Sequence, residues 1–135
     1  MNGRTALSFA AEMGHSELVK LLLEAKAELE TKDEVNGCTP LIWAVWKSHG
    51  EIVDSLLEAK ADVNSRGTNG DTPLAWAAVY GHVGVGTVLL EAAGKLEAKN
   101  ILGRTALSLA TEEGHVDVVR LLLDAKADVN SEGIY

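Results

Sequence analysis

The sequence predicts an all-α solenoid, a stack of repeated units each built from two short helices. Three observations predict it. Thr5, Thr39, Thr72 and Thr105 stand 34, 33 and 33 residues apart, and self-similarity at such a period is the mark of a repeat architecture. A glycine precedes each threonine by two residues, at Gly3, Gly37, Gly70 and Gly103. All four histidines, His15, His49, His82 and His115, share one position of the repeat.

The period divides residues 1–135, read as one domain, into four units of about 1–35, 36–68, 69–101 and 102–135. The single 34-residue step implies one extra residue near Asp33, Glu34 and Val35. Each unit reads as two helices. Threonine caps the first, because its hydroxyl accepts a free first-turn amide. Pro40 and Pro73 follow at the first helical position, where a missing N–H costs nothing, and Ala6 and Ala106 take that place in the outer units. Gly14, Gly81 and Gly114 stop the first helix by turning left-handed at low cost; Ser48 is a poorer stop. A second helix follows, as in Glu17 to Glu24, with apolar residues at helical spacing. An extended exit such as Ala61-Asp62-Val63-Asn64 ends the unit, and the Asn-Gly pairs at 2–3, 36–37 and 69–70 signal tight turns. Helices this short are marginal alone, so each must bury its apolar face on the next unit.

Composition narrows the function. Hydrophobic residues make up 47% of the chain, enough for a sizeable core, and the net charge is −8. That charge argues against nucleic acid and against anionic membrane surfaces, which select for Lys/Arg clusters; it is compatible with a basic partner. The lone Cys38 forbids an internal disulfide and favours an intracellular, cytoplasmic setting. No signal peptide and no membrane span are expected.

Candidate chemistry is sparse. Equivalent histidines of adjacent units lie about 8–10 Å apart, whereas zinc needs its ligands about 2 Å from one point. The histidines are therefore expected to help begin the second helix and to bond nearby backbone, and no metal or cofactor is expected. Cys38 has no evident base partner and reads as an ordinary thiol rather than a nucleophile. Gly84 and Gly86 follow a helix start rather than a strand, and Leu89 stands where a phosphate loop needs its third glycine. Glu12, Glu112 and Glu113 read as solvated helix faces. Nothing assembles a nucleophile, base and oxyanion site, so the chain is not expected to be an enzyme.

Aromatic residues carry the stronger signal. Five of the six fall on first helices: Phe9, Trp43, Trp46, Trp76 and Tyr80. Phe9, Trp43, Trp76 and Leu109 occupy one repeat position and are expected to stack between units, although Trp43 and Trp76 also rank as partner contacts. Trp46 and Tyr80 fall at the variable end of the first helix, beside Lys47 and Val79. The hairpin tips add Val35, Asn36 and Cys38, then Thr68, Asn69 and Asp71, then Ile101, Leu102 and Arg104. Ile101 and Leu102 form an apolar pair that meets either a partner or a neighbouring tip.

The strings Gly37-Cys38-Thr39-Pro40-Leu41, Gly14-His15-Ser16-Glu17-Leu18-Val19-Lys20-Leu21-Leu22-Leu23 and Ala127-Asp128-Val129-Asn130 resemble the ankyrin repeat family, over essentially the whole chain. The resemblance implies an L-shaped unit of two antiparallel helices with a projecting hairpin turn, stacked into an ankyrin-repeat solenoid, and a protein partner on the concave side, made by hairpin tips and first helices. Trp46, Tyr80, Lys47 and Val79 would face that groove. It also implies that Asn64 and Asn130 are candidate hydroxylation sites, each with a leucine eight residues earlier (Leu56, Leu122).

Departures from the family pattern sharpen the expectations. Ser8, Ile42, Ala75 and Ser108 stand where the family's histidine ties the helix start together. Lys26, Lys60 and Lys126 replace the family's glycine before Ala-Asp (or Ala-Glu), with Gly94 read as the one unit that keeps it. A lysine in a left-handed position costs on the order of 1 kcal/mol. Gly84 and Gly86 should each weaken their helix by roughly 0.8–1 kcal/mol, and Gly86 should leave a gap in place of a buried valine. The segment Val83–Ala92 is thus expected to be the softest of the stack. Neither outer unit has a polar outer face, since Leu18, Val19, Leu22, Val118, Val119 and Leu122 are as apolar as their internal counterparts. That suggests a segment of a longer array or an engineered chain, with a structural spacer or self-association as the alternative to protein recognition.

Overall fold

A threonine hydroxyl begins every first helix. Thr5, Thr39, Thr72 and Thr105 are extended, and each side chain accepts from the amide three residues on. These caps start α1 (Ala6–Met13), α3 (Pro40–Trp46), α5 (Pro73–Tyr80) and α7 (Ala106–Glu112). The second helices are α2 (Ser16–Glu24), α4 (Gly50–Glu58), α6 (Val83–Glu91) and α8 (Val116–Asp124). The computed structural model describes residues 3–130, and all eight elements among them are helices; Asn2, half of the first Asn-Gly pair, lies outside the described residues. In α1 and α7 the place of the family's histidine is not idle. Ser8 Oγ accepts from Thr5 N at 3.0 Å and Ser108 Oγ from Thr105 N at 2.9 Å, closing reciprocal capping boxes.

The helices stack in two layers. α1, α3, α5 and α7 pack in succession, as do α2, α4, α6 and α8, and each first helix packs on its own second helix. Leu41, Ile52, Leu56, Leu74, Leu89 and Leu122 are fully buried between the layers. The first unit differs from its internal equivalents at this position: Leu18 is 50% exposed while Ile52 and Val85 are buried at 1% and 5%. Of the six apolar residues expected on the outer faces, Leu18 alone is exposed. Val19, Val118 and Leu122 are buried, and Leu22 and Val119 are half-buried.

Every second helix ends in the same left-handed turn. Lys26, Lys60 and Lys126 have φ of 65°, 75° and 73°. The amide one residue further on bonds to a carbonyl five residues back, as in Ala61 N to Leu56 O at 2.9 Å, which is the Schellman closure. In the third unit the left-handed residue is Ala93, φ 69°, not Gly94. Gly94 takes the place of Ala61, with its amide on Leu89 O at 2.8 Å. The string Ala92-Ala93-Gly94 allows two alignments, and hydrogen-bond closure selects the one that counting did not.

The gap expected at Gly86 is also corrected. A Cβ on buried Gly86 would meet Leu121 Cδ2 at 3.3 Å and Ala77 Cβ at 3.9 Å. Leu121 of α8 therefore leans into the space a valine side chain would use. Gly84 is different: a Cβ there meets nothing within 4 Å.

Cross-unit hydrogen bonds lock the register. His49 Nε2 donates to Glu12 O at 2.9 Å, His82 Nε2 to Trp46 O at 2.9 Å and His115 Nε2 to Val79 O at 2.8 Å. The histidines thus bond backbone as expected, but the carbonyl belongs to the preceding unit. The close fit explains two of the glycine stops, since a Cβ on Gly14 or Gly81 would lie 2.8 Å or 2.7 Å from the ring of His49 or His115. Hairpins are linked as well, by Thr68 N to Asn36 O at 2.9 Å and Ile101 N to Asn69 O at 3.0 Å. Among the exits, Glu30 Oε2 accepts from Asp62 N, Asn64 Oδ1 from Lys95 N and Glu97 Oε2 from Asp128 N.

Candidate functional site

The first-helix layer brings Trp43, Trp46, Trp76 and Tyr80 into one ring cluster. Trp43 and Trp46 stack with centroids 5.0 Å apart, and Trp46 lies 4.7 Å from Trp76. The expected direct stacking of Phe9, Trp43, Trp76 and Leu109 does not occur. Packed helices are spaced about 8–10 Å apart, roughly twice the separation of stacked planar groups, so a second planar group is needed between equivalent rings. Trp46 is that group between Trp43 and Trp76. Rather than standing free at the variable end of its helix, it is half-buried as a wedge.

At the preceding junction Arg4 plays the same role. Its guanidinium lies 4.1 Å from the Phe9 centroid and 4.0 Å from that of Trp43, and it donates to Glu12 Oε1 at 2.8 Å. Arg4 also donates to Ser8 Oγ and Ser8 O. The sandwich combines cation–π attraction with a charge-assisted hydrogen bond. Phe9 remains 51% exposed, so it does not join the core, whereas Leu109 is buried. Sequence reasoning passed over Arg4. A usable signal was present: Arg4 and Arg104 share a repeat position, Glu12 and Glu112 share another, and Arg104 pairs with Glu112 as Arg4 does with Glu12.

Tyr80 completes the cluster at its solvent edge. It is 44% exposed, 5.9 Å from Trp46 and 6.1 Å from Trp76 by ring centroid. With Trp46 and Trp76 only 4.7 Å apart, those distances place Tyr80 alongside the pair, not beyond Trp76 toward α7. Lys47 Nζ sits 4.9 Å over the Trp46 ring. Val79 is half-buried, and its carbonyl is taken by His115.

The two indole nitrogens have opposite fates. Trp43, only 7% exposed, donates through Nε1 to Asp33 Oδ2 at 3.0 Å. Asp33 is itself buried, and its other oxygen accepts from Val35 N at 3.0 Å and Asn36 N at 2.7 Å. Trp76 Nε1 is buried with no hydrogen-bond partner. The hairpin closures explain the contrast. Asp33 N bonds to Cys38 O, Gly67 N to Asp71 O and Asn100 N to Arg104 O, so Asp33, Gly67 and Asn100 are equivalent, the first loop holding the extra residue. A Cβ on Gly67 would lie 3.8 Å from Trp76 Nε1; where the second hairpin needs a carboxylate it has only hydrogen.

The tips diverge. Ile101 is 68% and Leu102 53% exposed, and Val35 is 62% exposed. Asp71 is half-buried and accepts from Asn100 Nδ2 at 2.9 Å. Burial raises its carboxyl pKa, a shift that the Asn100 hydrogen bond opposes. Cys38 is fully buried beneath the first tip, and its thiol is pushed up to about 12 by burial first and by the Asp33 charge second. A nucleophilic cysteine needs the thiolate, and this environment holds the proton on sulfur. Asn64 accepts from Lys95 N at 2.8 Å and donates to Ala93 O at 3.4 Å, whereas Asn130 is exposed.

Among the described residues no three of His, Cys, Asp and Glu converge on a point that suits a metal ion, and no helix is long and apolar enough to cross a membrane. The shallow pocket lined by Glu28, Leu29, Glu30, Thr31 and Lys60 lies on the exit side, away from the rings.

The family model for ankyrin repeats (three copies) matches residues 1–67 and again 59–132. No curated protein matches the chain. Ankyrin repeats are in general protein–protein interaction modules and are typically non-enzymatic. Four helix pairs repeat one unit here, each begun by a capping threonine and the last three each tied to the preceding unit by a histidine, and with the family model spanning nearly their whole length the chain belongs to the ankyrin repeat family.

Proposed function

We propose that the chain recognises another protein on the face formed by its first helices and hairpin tips, centred on the second and third units. One observation carries this reading: Trp43, Trp46, Trp76 and Tyr80 form a continuous ring surface whose outermost member is 44% exposed. Tryptophan and tyrosine are over-represented among residues that dominate binding energy. Tyr80 and the exposed edge of Trp46 are the central contacts, with Trp76 beside them and Trp43 supporting from beneath. Lys47 and Val79 border the centre. Asp71, Ile101, Leu102 and Arg104 extend the contact along the tips, where two exposed apolar side chains have no structural task of their own.

Replacing Trp46 and Tyr80 together by alanine should weaken partner binding by at least about 2 kcal/mol. Affinity measured by calorimetry checks this, and unchanged binding sinks the assignment. Because Trp46 is also a wedge, Tyr80→Ala alone serves as the cleaner variant; its exposed ring contributes little to folding.

A second reading is self-association through the outer units. Met13, Leu18 and Leu21 are 62%, 50% and 60% exposed at one end, and Val116 and Val129 are 60% and 68% exposed at the other. Concentration-dependent sedimentation, abolished by Leu18→Glu, would favour it over partner recognition.

Hydroxylation remains a proposal at both asparagines. The Asn64 side chain is held by two hydrogen bonds to the following unit, which must open for the enzyme to reach it.

A further inference from the structure

The stack contains its own example of how this face holds a cation. At the junction of the first and second units, the planar Arg4 guanidinium lies between two rings and pairs with Glu12. Arg4 stands five residues before Phe9; the equivalent residues are Cys38 before Trp43, Asp71 before Trp76 and Arg104 before Leu109. At the junction of the second and third units, the neutral Cys38 is buried and Trp46 fills the space between rings. At the junction of the third and fourth, the charge is inverted. Asp71 replaces the arginine, and its side chain is met by the neutral Asn100 amide rather than by a cation. Tyr80 lies beside Trp76 and leaves the α7 side of that ring outside the cluster. At the neighbouring end of α7, Glu112 is paired with Arg104 and Glu113 is exposed.

From these features we infer that the third junction takes an arginine side chain from a basic partner segment, its guanidinium on Trp76 and Tyr80 and its charge facing Asp71. The fold supplies that arginine itself at the first junction and withholds it at the third, where Trp76 supplies the ring, Val79 and Leu109 stand in the places of Glu12 and Trp43, and the carboxylate is that of Asp71, at the arginine's own position. The net charge of −8 favours the approach of such a segment. Lys47, over Trp46, sets the opposite limit: it repels a second basic residue at the second unit and orients the segment with its arginine toward α7. A guanidinium suits the place better than an ammonium, because it is planar, stacks on rings and is weakly hydrated.

This inference rests on the recognition reading above, and its test separates the two. A fluorescent peptide of alternating glycine and arginine is titrated into the full chain, alongside versions with lysine and with uncharged citrulline. The expected order is arginine, then lysine, then citrulline, with arginine on the order of tenfold tighter than citrulline. Asp71→Asn should lower arginine-peptide affinity by about the same factor, while Asp117→Asn, on α8 in the other layer, should leave it unchanged. Far-UV circular dichroism checks that both variants fold. Equal binding of the arginine and citrulline peptides to the wild type overturns the inference without needing any variant. So does an equal loss from both aspartate variants, the signature of diffuse charge attraction. If either occurs while the Trp46/Tyr80 double variant still loses its protein partner, the recognition reading stands and only the arginine site falls.

Discussion

The second and third units share a backbone plan and differ in how well they complete it. In the second, Trp43 is bonded through its indole to Asp33, and α4 packs with Ile52, Val53 and Leu56 buried. In the third, Trp76 buries an indole nitrogen with no partner, Gly67 replaces the acceptor, and α6 carries Gly84 and Gly86. An unmet buried donor costs about 1–3 kcal/mol, a deficit the third unit carries on the face where the rings gather. The comparison teaches that a repeat stack spreads its stability unevenly. Neighbour packing, not local propensity, keeps α6 helical over the same nine residues as α4.

The comparison can be broken most severely at Asp33. Asp33→Ala removes the acceptor of one indole and two backbone amides and makes Trp43 resemble Trp76. Chemical denaturation should register a loss of about 3 kcal/mol; a loss below the scatter of surface substitutions would mean that the indole bond is idle. A smaller change sharpens it from the other side. Gly84→Ala places a methyl in open space on a helix face, so it should stabilise the chain by about 1 kcal/mol. Native-state hydrogen exchange should find the Val83–Glu91 amides faster than those of Ser16–Glu24 and Gly50–Glu58, and the substitution should narrow the difference. The smallest effect tests where the units do not differ. Lys60 and Ala93 hold the same left-handed turn. Glycine at either should gain somewhat less than about 1 kcal/mol, the relief of strain being partly offset by unfolded-chain entropy, and the two gains should agree.

Much of this architecture is legible in the sequence. Period, threonine caps, glycine stops and the left-handed lysines follow from spacing and local chemistry, because each is a property of a few consecutive residues. What escaped was set by the distance between units. Nothing in the chain order says that Phe9 and Trp43 are far enough apart to admit Arg4, or that Trp46 wedges between Trp43 and Trp76. Asp33 was hidden by the extra residue in its loop, which displaces it from its equivalents under plain counting. Gly94 misled because a glycine beside an alanine draws the left-handed assignment to itself, whereas the helix end is set by which amide reaches Leu89 O.

The interleaving of planar groups also makes the ring face a ruler. One junction follows another at roughly the helix spacing of 8–10 Å. A polyproline II segment returns to the same side every three residues, advancing about 9.3 Å at 3.1 Å per residue. Such a segment laid along the stack would stay in phase with it, turning every third side chain toward a successive unit. A β-strand exposes alternate residues, about 6.6 Å apart at 3.3 Å each, and drifts out of step within two units. The spacing that decides what fits between the tryptophans thus also sets the pitch of a chain that keeps step with the stack.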